Sequence, residues 1–380
     1  MSVADKLERA LHYPLGDALP APGAVLALAP GVKWLRMALP FALDHINLWL
    51  LRDCVDGVQG WTVVDCGIDS ADTRARWQQV FASGLDGLPI VRVLVTHMHP
   101  DHMGLAHWLC AHWGTPERAC RLWMSAADYL AARLACEGDG AADSARMADF
   151  FASHGLRDAQ MLAQIRERKR YYPRMVPAVP PAHARLHDGM VLRMGGHDWR
   201  CMAGYGHAPE HMALHCEALG LLISGDMLLP RISTNVSVYA AEPEADALAL
   251  FLASIDRFVP LPAHTLVLPS HGRPFTGLHA RVAQLHAHHR QQLQTLLQAA
   301  QAGPISAREA LPLLFKRPLD AHQTSFALGE AVAHLNRLWH AGQLARTRDA
   351  QGVWRFALPL QAKAEKDHSH APDKNLSLSF

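Results

Sequence analysis

The sequence predicts a layered α/β domain interrupted by a helical insertion and followed by a unit of three helices and a two-stranded wing. Three observations carry that reading. Short apolar strands alternate with helices from about residue 22 to residue 125, strands return from 184, and long amphipathic helices take over near 280. At 380 residues the chain has room for a main domain with an appendage and can bury a sizeable core. It is 50% hydrophobic and 19% charged with a formal net charge of +1, an ordinary globular composition that gives no whole-chain argument for nucleic acid or membrane. Seven cysteines, widely spaced and without a C-x-x-C, argue against a disulfide framework or a zinc ribbon and fit a reducing compartment. The opening "MSVADKLERALHYPLGDALP" scatters charges where a signal peptide would need an apolar core, and no apolar run approaches a bilayer span. The expected location is the cytoplasm.

The elements follow in order. Residues 1–21 form an extension. "GAVLALAP", "WLRMALP", "HINLWLLRD" and "GWTVVDCG" read as strands with turn residues between them. "ADTRARWQQVFASG" reads as a helix ending at Gly84, and "IVRVLVTH" as a buried strand. A helix, "GLAHWLCAHWG", and a strand, "RLWMS", come next. The stretch 126–187 is the expected helical insertion, with "MLAQIRERKRYYPRM" its clearest helix. "GMVLRMGG", "DWRCMAG", "HMALHCE", "LGLLISGD" and "TLVLPSHG" restore the strands and complete a catalytic domain over 22–279.

From 280 to 360 the pattern is helix, helix, helix, wing. "RVAQLHAHHRQQLQTLLQAAQAG" carries Val282, Leu285, His289, Leu293, Leu296, Leu297 and Ala300 on one face. Ser306 caps the next helix with Glu309 three residues on, a capping box, and Gly342 closes the third helix. The wing turns at "DAQG", giving a winged-helix order. Residues 361–380 read as a polar, disordered tail.

Histidine is the compositional outlier, with 25 copies. The run "HAHH" at 286–289 and the tail residues His368 and His370 read as ordinary surface histidines. "VTHMHPDHMGLA" is different, because it places His97, His99, Asp101 and His102 where a strand gives way to a loop. On an extended segment His97, His99 and Asp101 project to one side, and His102 can turn in from a tight loop. The simplest reason to crowd them is a doubly charged cation held by neutral imidazoles and carboxylates. Two metals need more groups. His207 in "GYGHAPEHMAL", Asp226 in "LLISGDMLL" and His271 in "LVLPSHGRP" stand at the same kind of strand-to-loop junction. Each alone would read as a capped or solvated residue; the shared context and the total of seven give them weight.

This set resembles the metallo-β-lactamase superfamily over roughly residues 22–280. The motif H-x-H-x-D-H is complete as His97, His99, Asp101 and His102, with His207, Asp226 and His271 following in the family's order. The resemblance implies an αββα sandwich with a dinuclear site on one edge. It implies that His97, His99 and His207 hold one divalent ion, that Asp101, His102 and His271 hold a second, and that Asp226 bridges them. Zinc is the expected ion, with iron or manganese as alternatives. The run "GHAPEH" and the winged-helix order are similar to glyoxalase-II-related hydrolases, which makes His211 a supporting residue rather than a ligand. Asp65 in "VVDCG" matches a recurring aspartate beneath the site, although a plain strand-end role is equally compatible with it. The helical region with which true glyoxalase II holds glutathione is not recognisable. Asp226 stands near where one class of true β-lactamases has a cysteine ligand, which argues against antibiotic hydrolysis as the main role.

The chemistry implied is attack by a bridging hydroxide on a thioester, ester or lactone carbonyl, with Asp101 and Asp226 as the catalytic carboxylates and no serine nucleophile. The insertion is expected to form a lid, with Tyr171, Tyr172 and Arg174 as candidate contacts to an acyl chain or a phosphorylated carrier. Two other classes stay in view: a single-stranded nucleic-acid phosphodiesterase, and a nucleic-acid-binding module led by the winged helix. Residues 280–360 carry nine Lys and Arg against four Asp and Glu, and the third helix offers Asn336 and Arg337 against Glu330. That is thin for groove reading, so the expected partner is a small acyl substrate, without membrane and without nucleic acid. A homodimer is left open.

Overall fold

The computed structural model describes residues 10–168, 170–316 and 318–359. The expected tail at 361–380, with His368 and His370, and the start of the 1–21 extension lie outside the described residues.

Two sheets pack face to face. In the first, β1 (Leu26–Ala29), β2 (Val32–Ala38), β3 (His45–Val55), β4 (Val58–Val64), β5 (Ile90–Leu94), β6 (Arg121–Ser125) and β7 (His183–Leu186) lie side by side in chain order. The first four strands form an antiparallel meander, whereas β4 through β7 run parallel. Parallel neighbours need crossovers. These are α1 (Ala71–Ser83) after β4, α2 (Pro100–Met103) with α3 (Ala106–Trp113) after β5, and the helical stretch from Ala126 to Arg166 after β6. The second sheet is ordered β12 (Leu266–Pro269), β11 (Leu221–Gly225), β10 (His211–Cys216), β9 (His197–Gly204) and β8 (Val191–Met194).

The largely apolar stretch of β3 from Ile46 to Leu51, interrupted only by buried Asn47, follows from burial on both faces. Trp34, Trp49 and Leu51 point between the sheets, where they meet Trp199, Met212, Leu214 and Ile223. Their neighbours Leu35, Ile46, Leu48 and Leu50 point outward into a layer with Trp77, Val80 and Leu109 from α1 and α3. The outer face of the second sheet, with Met202, Ala213, Leu222 and Val267, is covered by α7 (Ala247–Asp256) and α8 (Leu278–Ala302). The layers are therefore helix, sheet, sheet, helix, an αββα sandwich. Cross-links between the sheets gather at one edge. Met212 N–H donates to Thr96 O at 2.8 Å, and Asn47 Nδ2 donates to Pro269 O at 2.8 Å.

The range expected to be a helical insertion holds α4 (Ala126–Glu137), α5 (Gly140–Ser153) and α6 (Ala159–Arg166), and then strand β7. The helix expected through residue 175 ends at Arg166 and gives way to turns, consistent with the bias against helix just before Pro173. After α8 come α9 (Ala307–Leu314), α10 (Ala321–His340) and the ribbon of β13 (Ala345–Arg348) and β14 (Trp354–Ala357). The Ser306–Glu309 capping box is present, and a second one joins Asp320 and Gln323 at the start of α10. The expectation of surface histidines at 286–289 fails for His289. It is buried and pairs with buried His334 of α10 at 3.1 Å, because its position on α8 faces inward.

Candidate metal centre

All seven groups singled out by the motif and its spacing converge at the edge where the sheets are cross-linked. His97 and His99 come from the turn after β5, and Asp101 and His102 from the short helix α2 that follows it. His207 precedes β10, Asp226 follows β11, and His271 follows β12. One donor atom from each of His97, His99, His207 and Asp226 falls within 4.8 Å of the others, and the same holds for Asp101, His102 and His271. Asp226 faces both sets. Its Oδ2 lies 3.2 Å from His207 Nε2, and its Oδ1 lies 3.5 Å from His102 Nε2 and 3.4 Å from His271 Nε2.

The hydrogen-bond pattern fixes which ring nitrogens face the cluster. A carbonyl or carboxylate oxygen only accepts, so an imidazole nitrogen bonded to one must donate. His207 Nδ1 donates to Asn235 O at 2.7 Å, His271 Nδ1 to His45 O at 2.7 Å, and His102 Nδ1 to Asp65 Oδ2 at 2.8 Å. Thr96 Oγ1 donates to Asp65 Oδ2, so its oxygen is left to accept from His97 Nδ1 at 3.1 Å. With neutral rings, the Nε2 atoms of all four histidines present bare lone pairs inward. His97 and His207 Nε2 are only 3.2 Å apart, and His99 Nδ1 is 2.9 Å from His97 Nε2. The buried His102 Nε2 and Asp226 Oδ1 have no hydrogen-bond partner. Lone pairs and carboxylate oxygens this close need positive charge among them, and the donor set suits hard-to-borderline divalent cations. The residues fit a metal centre.

Protonation tells the same story. Burial, reinforced by His102 and His99, holds His97 well below the usual imidazole value, and burial with His207 presses His99 down to about 3. These rings are neutral, as ligands must be. On the other side burial opposes charge on His102, but Asp65, Asp101 and Asp226 outweigh it and raise its pKa well above normal. Asp226 and Asp101 likewise bring His271 up to about 10. The carboxylates around these two rings thus favour positive charge at this side of the cluster.

The supporting residues are equally specific. Asp65 adopts a left-handed φ of 64°, uncommon for a residue with a side chain. In that conformation its carboxylate accepts from Thr96 N and His102 Nδ1. His211 lies beneath the cluster, where its Nε2 accepts from the Asp226 backbone N–H at 3.2 Å, and it belongs to neither ligand group. Tyr172 donates its hydroxyl to Met98 O at 2.7 Å, which holds the peptide between His97 and His99. Tyr171 is half-buried, and burial raises its phenol. Arg174 is exposed at the surface.

Asp128 is a residue the sequence reading passed over. Fully buried, it accepts from Met98 N at 2.8 Å and from Glu210 N at 2.6 Å, tying the loop of His97 and His99 to the loop of His207. The available signal was Ser125-x-x-Asp128 opening a helix after a strand, which Ser125 does cap. Burial, partly offset by these N–H donors, raises Asp128 to about 6. Asp128→Asn keeps the shape but turns one acceptor oxygen into a donor facing an N–H. We expect about 1–3 kcal/mol of lost stability. Urea unfolding checks this, and an unchanged midpoint would remove Asp128 from this role.

Comparisons with known proteins agree with the site. The family model "Metallo-beta-lactamase superfamily" matches residues 43–271, and the model "Metallo-beta-lactamase-like, C-terminal domain" matches residues 293–359. The crystal structure of a beta-lactamase domain protein from Burkholderia ambifaria is 53% identical, covering 93% of this chain and all of that one (100%), with a TM-score of 0.87. A metallo-beta-lactamase family protein from Thermus thermophilus is 29% identical over 88% of this chain and 100% of that one, with a TM-score of 0.70. A probable metallo-hydrolase of Bacillus subtilis (strain 168) is 22% identical over 80% of this chain and 91% of its own length. On the matched residues, the sandwich and the His/Asp constellation at its edge, the chain belongs to the metallo-beta-lactamase superfamily.

Proposed function

We propose that the protein is a dinuclear metal-dependent hydrolase acting on a thioester, ester or lactone carbonyl. The observation that carries this reading is the pair of donor sets sharing Asp226. His97, His99 and His207 would hold one divalent ion and Asp101, His102 and His271 the other, with Asp226 between them and zinc as the first candidate. Such ions polarise an attacked carbonyl and bring the pKa of a water toward neutrality. The chain's own groups do the rest. His211 and Asp65 fix Asp226 and His102 from beneath. The Asp101 side chain is 19% exposed, against 11% for Asp226, so it is the carboxylate better placed to accept a proton from the attacking water at Oδ2 and return it to the leaving group. Ser224 is buried and donates to Leu228 O, which suits a structural role and not a nucleophile. Tyr171, half-buried in the segment after α6, is the lid residue we assign to the acyl group.

The C-terminal unit, three helices and a ribbon, supports kinship with the winged-helix-bearing, glyoxalase-II-related hydrolases. Its third helix favours a small substrate over nucleic acid. Buried Asn336 donates to Pro243 O and Ala245 O, and Arg337 pairs with Asp246 at 2.9 Å, so the residues that would read a groove are engaged with the catalytic domain. Among the described residues no helix is long and apolar enough to cross a membrane.

One zinc-loaded preparation assayed on thioesters, lactones and single-stranded RNA tests the reading. Carbonyl cleavage should vary little with salt, because a small acyl group makes few ionic contacts. A polyanion substrate would give steep salt dependence. Efficient, salt-sensitive RNA cleavage without thioester or lactone turnover would overturn the assignment.

A further inference from the structure

Gly329 stands in the interior of the 20-residue helix α10, where glycine is disfavoured relative to alanine. Its φ is not positive, so conformational freedom does not explain it. Space does. A Cβ at Gly329 would lie 2.8 Å from Ser237 Cβ, 2.9 Å from Ser237 Oγ and 3.2 Å from Val238 O, closer than packed atoms allow. Through this gap α10 grips the segment 234–238. Gly329 O accepts from Val238 N at 3.0 Å, Ser237 Oγ donates to Phe326 O at 3.3 Å, and Asn235 Nδ2 donates to Glu330 Oε2 at 3.4 Å. The single Ser237 O–H is shared between Phe326 O and Asn235 Oδ1, the nearer acceptor at 2.7 Å.

The same segment reaches the cluster from its other side. Asn235 O is the acceptor that fixes His207 Nδ1, and Thr234 Oγ1 donates to Asp226 O. The contacts therefore run from α10 through residues 234–238 to two of the seven groups.

We propose that α10 is a positioning element of the metal centre, with Gly329 the residue that lets it set the orientation of His207. The proposal rests on the metal reading of His207, and it gives the C-terminal unit a part in the site itself. An acceptor on the far nitrogen fixes both the tautomer and the aim of a ligand imidazole, and losing such a partner typically weakens metal binding ten- to a hundredfold, roughly.

The test is direct Zn²⁺ titration of the full chain against a chromophoric chelator, which needs no substrate. Gly329→Ala should weaken Zn²⁺ binding by about tenfold or more. Adding Ser237→Gly, which removes the two closest clashing atoms, should restore it to within a few-fold of wild type. If Gly329 were an ordinary helix residue, Gly329→Ala would raise the melting temperature and leave the titration unchanged, and that result would sink the proposal. So would a loss that Ser237→Gly does not restore. Should Gly329→Ala fail to fold, Glu330→Leu serves as the second probe: it removes the acceptor that holds Asn235 Nδ2 and should lower Zn²⁺ affinity severalfold, and unchanged affinity again overturns the idea. A wild-type chain that takes up no Zn²⁺ would fail the metal reading itself, which keeps the two failures apart.

Discussion

Asp226→Asn is expected to lower kcat by about a thousandfold or more and to leave at most one divalent ion per chain. The reason is geometric. Three Nε2 lone pairs, from His207, His102 and His271, converge on this one carboxylate at 3.2 to 3.5 Å. An amide has one acceptor oxygen and two N–H donors, so it satisfies one donor set at best and turns hydrogens toward lone pairs on the other side. It also removes one negative charge from a buried site whose cations need it. The backbone tie from Asp226 N–H to His211 Nε2 does not involve the side chain, so the fold should survive. Elemental analysis, circular dichroism and turnover on the best substrate make the measurement. A variant that keeps two ions and near-wild-type turnover would show that Asp226 does not bridge.

The second large effect concerns acid. His334 Nδ1 donates to Glu330 O at 2.8 Å, so its Nε2 can only accept, and His289 Nδ1 is the donor at 3.1 Å. Both rings are neutral with fixed tautomers in the core between α8 and α10. Burial and His334 bring His289 down to about 2, and burial brings His334 down to about 4. The ordinary imidazole value of about 6.5 applies in the unfolded chain. Both folded pKa values are therefore depressed, so the unfolded chain binds more protons, and stability present above pH 6.5 is lost as the pH falls toward 4. The slope approaches about 1.4 kcal/mol per pH unit for each extra proton. Glu330 acts in the opposite sense, since burial raises it to about 7 and its contribution is lost as the pH rises through that value. Melting temperatures from pH 7.5 to 4 should drop steeply below 6.5. His289→Gln, whose amide can donate to His334 Nε2 without titrating, should flatten the acid limb by about one proton. Parallel curves for the two proteins would remove the pair as the cause.

The seven clustered His and Asp groups were legible in the sequence because they stand in short motifs just beyond strands, and strand ends meet at the sheet edge. What sequence could not reveal lies in contacts between distant segments. Asp128 acts on two backbone N–H groups, 30 and 82 residues away in sequence, and such partners leave no side-chain pattern. Strand β7, four residues long with one fully buried position, has too weak an alternation to stand out from the helices before it. Helix α7 is apolar nearly all round, which obscures the helical period. His289 sat within a polar-looking run, although it shares the apolar face of α8, and its partner on α10 satisfies the ring nitrogen that burial would otherwise orphan.

One core cluster joins Met202, Ala213 and Val267 of the second sheet with Leu311, Leu328, Leu335 and Phe356 of the C-terminal unit. The C-terminal unit thus supplies a share of the apolar surface that closes the catalytic sandwich on this side, together with α7 and α8. Such an appendage is not a detachable module. Cutting the chain near Gly303-Pro304 would strip Val236, Leu248 and Phe251 of their cover and leave the catalytic portion with an exposed apolar face. The two parts should unfold in one cooperative transition.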